Sequence, residues 1–328
     1  MHFVPHIAHS SLVFQSGNWE VVVVRLQVRL FVLFPLLVAL LFVLPKMQTA
    51  AAVPSEHQDI WRVDLFVATY LPANNQHFPY LAYYRWENNR WQPSDAETFF
   101  ATQQPEIPLI VFAPGYDSPT AQTTQVVLGI VQNFDPNKPC RVVVWDWDSE
   151  RGPGNIRRDI RSKLPIAQNA GSFLALFLQN LKPQSKVCLF GFSFGGRIVC
   201  HAAETLRRNN RQPEGLRLNL VLSGAATDQH WFARGERHSR VPEIVERILV
   251  TYNPDDWALR FYPMMYNFRD KARALGRTGL PMWNIAPEFR AQFESFNVQR
   301  YLGKEHQTLL HVQTPVFRSR INTYFFFE

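Results

Sequence analysis

Five apolar runs, separated by segments of helical periodicity, constrain the fold of this chain more than any other feature. The runs cover residues 109–112, 142–145, 187–190, 218–222 and 248–250, and Asn219 is the one polar residue in them. Strands that are buried on both faces are apolar along their whole length, which is typical of parallel strands covered by helices. The alternation therefore predicts an α/β fold with a mostly parallel central sheet and helices on both faces.

The helices and the remaining strands are predicted from shorter patterns. Apolar residues recur at helical spacing from Ile166 to Leu181, and Pro165 places the start of this crossover helix nearby. Residues 196–206 and 315–326 predict two more helices, the second capped by Thr314. Residues 296–302 are predicted to form the final strand.

The sheet is predicted to begin with antiparallel strands at its edge. Residues 61–67 alternate as a half-buried strand does, and residues 80–91 indicate a second strand with a turn at Asn88 and Asn89. Near the other end, the connection after Leu222 runs only to about Pro242 before helix and strand resume. That length leaves little room for a large cap domain.

The N-terminal region is predicted to be a leader, residues 1–52, ahead of a globular domain, residues 53–328. Residues 30–44 are apolar apart from Pro35, with arginines before the run and a lysine after it. The run is shorter than the roughly 20 residues that span a bilayer comfortably, and small residues at 50–52 would suit a signal peptidase. A cleaved signal peptide and an uncleaved membrane anchor both remain open. Either predicts export across the cytoplasmic membrane, giving a secreted, periplasmic or anchored protein.

Charge and cysteine usage exclude two classes of protein. The formal net charge of +7 is spread along the chain, and the densest basic stretch, residues 157–163, is predicted to be a solvated helix entry. No nucleic-acid motif accompanies it, so we expect no binding to DNA or RNA. The three cysteines, an odd number, predict buried free thiols in place of a disulfide framework.

The segment Gly191-Phe192-Ser193-Phe194-Gly195 directly follows the third apolar run and precedes a predicted helix. A serine on so sharp a turn has a strained backbone, and a Cβ at either glycine would collide with the neighbouring strand and helix. The helix N-terminus would favour a developing oxyanion, toward which the Phe194 N–H would point. In this context the segment resembles the nucleophile elbow of the α/β-hydrolase superfamily, a resemblance that extends from about residue 55 to the C-terminus.

The resemblance implies an α/β-hydrolase fold and a serine hydrolase that cleaves an ester-like acyl bond through a Ser-His-Asp triad and a covalent acyl-enzyme. Ser193 would be the nucleophile. The second oxyanion donor would come from the loop after residues 109–112, where the Tyr116 N–H is the candidate. Pro114 departs from the His-Gly that the family often has there, whereas Gly115 still permits a close backbone approach.

The acid and the base are expected after the nucleophile, because the family order is serine, acid, histidine. Asp256 is favoured as the acid, with Asp255 and Asp228 as alternatives. Of the ten histidines only two follow this acid. His306 is favoured because it comes immediately after the predicted final strand, and His311 stays open as the alternative.

The expected substrate is a small-molecule ester or a related acyl compound, with thioester, amide and lactone left open. Several aromatic residues near the predicted rim suggest an apolar acyl or aryl group, although most are expected in the core: Phe192, Phe194, Trp231, Phe232, Trp257, Phe261 and Tyr262. No metal or other cofactor is expected, because no metal-ligand spacing occurs. The competing hypothesis is a catalytically silent, membrane-tethered binding or structural module with the same fold.

Overall fold

A computed structural model of the chain describes residues 55, 57–66, 80–266 and 272–328. These residues build a single sheet of nine strands. The strands are β1 (Gln58–Phe66), β2 (Tyr80–Glu87), β3 (Arg90–Ser94), β4 (Leu109–Ala113), β5 (Cys140–Asp146), β6 (Lys186–Phe192), β7 (Arg217–Ser223), β8 (Arg247–Tyr252) and β9 (Phe293–Asn297). Their spatial order is β3-β2-β1-β5-β4-β6-β7-β8-β9.

The predicted mostly parallel sheet is confirmed. Every neighbouring pair from β1 to β9 in this spatial order is parallel, and only the β1–β2 and β2–β3 pairs are antiparallel. The two outermost strands are β3 and β9. The prediction that residues 61–67 lie at the edge of the sheet is wrong, because β1 pairs with β2 on one side and with β5 on the other. Residues 80–91 form two strands because Asn88 and Asn89, with φ of 53° and 59°, reverse the chain in a tight hairpin turn.

Helices cover both faces of the sheet, as predicted. They are α1 (Ala96–Ala101), α2 (Thr120–Val131), α3 (Ile156–Gln179), α4 (Phe194–Asn209), α5 (Leu275–Thr278), α6 (Gln299–Leu302), α7 (Thr308–Gln313), α8 (Pro315–Arg318) and α9 (Ile321–Phe325). Alternate residues of the central strands enter two separate cores. Leu109 and Val111 face α3 and α4, whereas Ile110 and Phe112 face α2 and the C-terminal helices.

The crossover helix begins earlier than predicted. It starts at Ile156, so Pro165 lies inside it. The Asn155 side chain caps the helix by accepting from two backbone N–H groups. Lys163 is buried and contacts Asp148 at 2.8 Å, so the basic stretch is only partly solvated. The cap and this ion pair stabilise the part of the helix that precedes Pro165. The proline removes one backbone donor, and the helix continues through it.

The C-terminal elements also differ from the prediction. The final strand ends at Asn297, and the next residues form the short helix α6. The predicted last helix is broken into α8 and α9, although Thr314 does cap its start by accepting from the Phe317 N–H. At the break, the Arg320 side chain turns to Glu294 on β9, at 2.7 Å. This contact depends on the packed sheet, so no local pattern could reveal it.

The connections near the carboxyl ends of the strands contain no large cap domain within the described residues. In the connections after β7 and β8, the longest helical segment of the described residues is a 3-10 helix of eight residues, Leu259–Tyr266. No helix in the described ranges is long and apolar enough to cross a membrane. The predicted segment at residues 30–44 and the boundary between residues 52 and 53 lie outside those ranges. The three cysteines are buried and free, as predicted.

Candidate active site

The candidate site lies where the order of strands in the sheet reverses. From β4 the chain moves to β5 on one side, and then crosses to β6 on the other side. In open α/β sheets, ligands bind outside the carboxyl ends of the strands at such a reversal. The loop after β4 and the turn after β6 are in close contact here. A Cβ added to Gly115 would lie only 3.0 Å from the Ser193 Cβ.

Ser193 occupies a strained backbone conformation between β6 and α4. Its φ of 52° and ψ of −118° fall in a region of backbone conformation that residues other than glycine rarely adopt. Three backbone hydrogen bonds hold it there. Its N–H donates to the Ser223 carbonyl at 3.2 Å, and its own carbonyl accepts from Gly196 at 3.0 Å and from Ala226 at 2.9 Å.

The two glycines of the elbow have the steric role that the sequence predicts. A Cβ on Gly195 would lie 1.9 Å from the Ala113 carbonyl oxygen, and a Cβ on Gly191 would lie 2.6 Å from backbone atoms of Gly195. No side chain can be accommodated at such distances. The absence of these two methyl groups therefore lets α4 sit directly on the ends of β4 and β6.

Two backbone donors beside Ser193 have no acceptor within the described residues. They are the N–H groups of Tyr116 and Phe194. The Phe194 N–H belongs to the first turn of α4, where unpaired donors give the helix end a partial positive charge. The Tyr116 loop is held in place because its phenol donates to Asp159 at 2.5 Å and Trp147 donates to the Pro114 carbonyl at 3.0 Å.

The Tyr116 phenol remains protonated in this setting. Its burial, the hydrogen bond to Asp159 and the negative charge of that carboxylate all raise its pKa above the ordinary value. The phenol therefore serves to anchor the loop after β4.

His306 and Asp256 form a close pair at the ends of β8 and β9. His306 Nδ1 lies 2.5 Å from Asp256 Oδ2, and the carboxylate is completely buried. The other carboxylate oxygen accepts from the Leu259 N–H at 2.9 Å, so both oxygens of Asp256 are engaged. The His306 side chain keeps 13% of its surface exposed. Its Nε2 has no hydrogen-bond partner in the described ranges, which leaves that nitrogen open to a ligand.

Phe192 links this pair to the elbow. Its ring centroid lies 4.8 Å from the His306 ring on one side and 5.5 Å from the His311 ring on another. The imidazole of His306 thus rests on the residue that precedes Ser193. No hydrogen bond joins Ser193 Oγ to His306 within the described residues. The sequence placed Phe192 among rim aromatics, and only its position next to the serine hinted at this contact.

His311 is enclosed beneath Phe192. It is fully buried, and its Nδ1 lies 3.3 Å from the Thr251 hydroxyl, which in turn lies 2.8 Å from the Ser223 hydroxyl. Its Nε2 has no partner among the described residues. Burial, together with the neighbouring His306, lowers the pKa of His311 to about 3. The ring is therefore neutral at ordinary pH.

The two alternative acids lie elsewhere. Asp255 is exposed and accepts from the Gln299 side chain at 2.6 Å. Asp228 accepts from the His230 backbone N–H at 2.8 Å. In the part of the chain that the structure describes, neither carboxylate is hydrogen-bonded to His306 or His311. No group of three or more side chains suited to a metal ion occurs there either.

Comparisons with known proteins give only distant likenesses. No protein-family model and no curated protein matches the chain. A candidate cell-surface hydrolase from Lactobacillus plantarum WCFS1 is 10% identical, with a TM-score of 0.39, over 68% of this chain and 93% of that one. Esterase PE8 is 14% identical, with a TM-score of 0.31, over 66% and 90%. An acetyl xylan esterase is 12% identical, with a TM-score of 0.30, over 66% and 92%.

At these identities and scores, the likenesses say nothing about activity or substrate. A mostly parallel sheet with helices on both faces reverses its strand order at the centre, and a strained serine lies between β6 and α4 at that reversal. The chain has the α/β-hydrolase fold.

Proposed function

We propose that this protein is a serine hydrolase that cleaves an ester-like acyl bond, with Ser193 as nucleophile, His306 as general base and Asp256 as the acid that orients it. The observation that supports the proposal is the pair formed by His306 and the buried Asp256, next to a strained serine. A buried carboxylate costs free energy unless it is hydrogen-bonded, and Asp256 is hydrogen-bonded both by His306 and by the Leu259 N–H.

The first half of the reaction follows from the atoms on each residue. Asp256 accepts a hydrogen bond from the His306 Nδ1–H, which leaves Nε2 as the unprotonated nitrogen. As Ser193 Oγ bonds to the substrate carbonyl carbon, its proton passes to Nε2. The carbonyl oxygen gains a negative charge and accepts hydrogen bonds from the N–H groups of Tyr116 and Phe194. The carbon–oxygen bond to the leaving alcohol then breaks, and His306 returns the proton to that alcohol.

The second half repeats these steps with water. Water attacks the acyl group on Ser193, and His306 Nε2 takes one of its protons. The bond to Ser193 Oγ breaks, the serine recovers its proton from His306, and a carboxylic acid leaves. An ester is the substrate that we propose first, because an alcohol leaves more readily than the amine of an amide. A thioester, an amide or a lactone would use the same atoms.

A fluorophosphonate probe tests the proposal, because it bonds covalently to an activated serine. We expect the purified chain to be labelled and the Ser193→Ala variant to remain unlabelled. A wild-type protein that is folded and yet unlabelled would sink the enzyme proposal. That result would favour the silent binding or structural module with the same fold.

We also propose that residues 30–44 direct export or anchoring. The apolar run with preceding arginines supports this proposal. A C-terminally tagged chain should then be found outside the cytoplasm, shortened if a signal peptidase cuts near residues 50–52 and of full length if the run is an anchor. Retention of the full-length chain in the cytoplasm would contradict it.

A further inference from the structure

A cavity lies beside the elbow helix, apart from the candidate active site. Its volume is about 910 Å³, and α3, α4 and the loop after β7 line it. Ser193, Asp256 and His306 are not among its lining residues. The volume is within the range of cavities that hold small organic molecules. This cavity has no role in the proposed hydrolysis.

A buried histidine without partners faces this cavity. His238 is 1% exposed, and neither of its ring nitrogens has a hydrogen-bond partner among the described residues. Trp231 and Phe232 pack against the ring, with centroids 5.1 and 6.0 Å away. A neutral imidazole has one donor and one acceptor, and buried polar atoms are nearly always paired. His238 therefore points to a ligand that supplies polar atoms in the cavity.

The charged residues of the cavity wall indicate which polar atoms the ligand carries. Arg237 is exposed, forms no ion pair in the described ranges, and holds its guanidinium 4.9 Å from the centre of the Trp231 ring. Arg197 flanks the same ring at 4.6 Å and is itself held by the Ala226 carbonyl at 2.7 Å. Guanidinium groups beside an imidazole suit a carboxylate or a phosphate, because these anions offer acceptor oxygens only.

The other residues that line the cavity favour an anion with a single negative charge and an apolar group. Glu236 and Asp228 also line the cavity, and their negative charges oppose a dianion more strongly than a monoanion. Leu164, Pro165 and Trp231 supply apolar surface. A phosphate monoester would carry nearly two charges and would gain little from that surface. A carboxylate attached to an apolar group matches both parts of the wall.

We propose that this cavity binds a small carboxylic acid, with its carboxylate on Arg237 and His238 and its apolar body against Trp231. The cavity is joined to the elbow by two hydrogen bonds. Arg197 donates to the Ala226 carbonyl at 2.7 Å, and the Ala226 N–H donates to the Ser193 carbonyl at 2.9 Å. The inference does not rest on the proposed hydrolase activity, because none of the groups that bind the ligand takes part in it.

Isothermal titration calorimetry of the purified chain with phenylacetate tests the site, with phenylacetamide as the uncharged match. We expect one phenylacetate to bind per chain and phenylacetamide to bind at least about tenfold more weakly. Arg237→Ala should weaken phenylacetate binding by about tenfold or more, because the charged partner is lost. Arg234→Ala removes an exposed arginine of the same loop that does not line the cavity, and it should leave binding unchanged.

Three results would overturn the proposal. They are no binding of phenylacetate to the wild type, equal binding of phenylacetate and phenylacetamide, and equal affinity of phenylacetate for Arg237→Ala and Arg234→Ala. A His238→Phe variant should also bind phenylacetate more weakly. If this variant does not fold, the affinity of Arg237→Ala, a substitution at an exposed residue, still tests the proposal. Binding by Ser193→Ala should match the wild type, so failure here and failure of the hydrolase proposal can be told apart.

Discussion

His306 and His311 lie against the same phenylalanine, five residues apart in sequence, and have opposite environments. His306 is partly exposed and its Nδ1 faces a carboxylate, whereas His311 is fully buried and its Nδ1 faces a hydroxyl. A general base needs a partner that stabilises its protonated form and a second nitrogen that the substrate can reach. Only His306 has both. The surroundings of a histidine, and not its nearness to the serine in the fold, therefore separate a candidate base from a packing residue.

The largest expected effect is on the rate of Ser193 labelling when each of the two histidines is replaced separately. We expect His306→Ala to lower the rate of fluorophosphonate labelling of Ser193 by about 10³-fold or more, because the serine loses its base. His311→Gln should keep the rate within about tenfold, since its ring is neutral and enclosed. Rates are measured from labelling time courses on folded protein. Equal losses in the two variants would contradict the proposal that His306, and not His311, is the base.

The carboxylate that faces His306 can be tested against its neighbour in sequence. Asp256→Asn should slow labelling by about 10²- to 10⁴-fold, because an amide no longer selects the tautomer with Nε2 unprotonated. Asp255→Asn should change the rate by less than about threefold, since that carboxylate is exposed and bonded to Gln299. The same time courses measure both. A larger loss with Asp255→Asn would move the acid to that residue.

The buried histidine should make the protein less stable in acid. The pKa of His311 is lowered from 6.5 to about 3, so between these values the unfolded chain binds a proton that the folded chain does not. The free energy of unfolding therefore falls as pH falls below about 6.5, by up to about 1.4 kcal/mol per pH unit from this residue.

Urea unfolding of the wild type and of His311→Gln from neutral pH to about pH 4 measures this effect. The advantage of the wild type should shrink as the pH falls. Thr251→Val keeps the histidine and removes only its hydroxyl partner, so its unfolding free energy should keep the wild-type slope with pH. Parallel curves for the wild type and His311→Gln would contradict the prediction.

The smallest expected effect concerns the backbone that seats Phe192 and His311. Gly224 has a φ of 49°, and a Cβ there would lie 3.2 Å from Phe192 and 3.3 Å from His311 Nε2. Gly224→Ala should therefore lower the free energy of unfolding by about 2 to 3 kcal/mol. Gly303→Ala, at a φ of 55° with no atom within 4 Å, should lose only about 1 kcal/mol. If both variants lose the same free energy of unfolding in urea, Phe192 and His311 move aside for the added methyl group without loss of stability, which would contradict the prediction.

Much of the fold followed from the sequence, because its strongest signals are local. The apolar runs predicted the parallel strands, and the glycines around Ser193 predicted a turn that admits no Cβ. The errors lie where distant contacts outweigh local preference. Pro165 lies inside a helix held by its Asn155 cap and by Lys163 on Asp148, and the last helix is interrupted where Arg320 reaches Glu294.

The sequence is sufficient to place the elbow, because the two glycines and the strand and helix on either side of Ser193 are local features. The Ala113 carbonyl beside Gly195 and the Ser223 and Ala226 backbone groups that hold Ser193 come from the packed sheet. It left two histidines and three carboxylates open. Only the tertiary structure pairs His306 with Asp256, and it does so by bringing the ends of β8 and β9 together over Phe192. The physical reason is that burial and hydrogen bonding are properties of packed surroundings, which residues fifty positions apart in the chain must supply together.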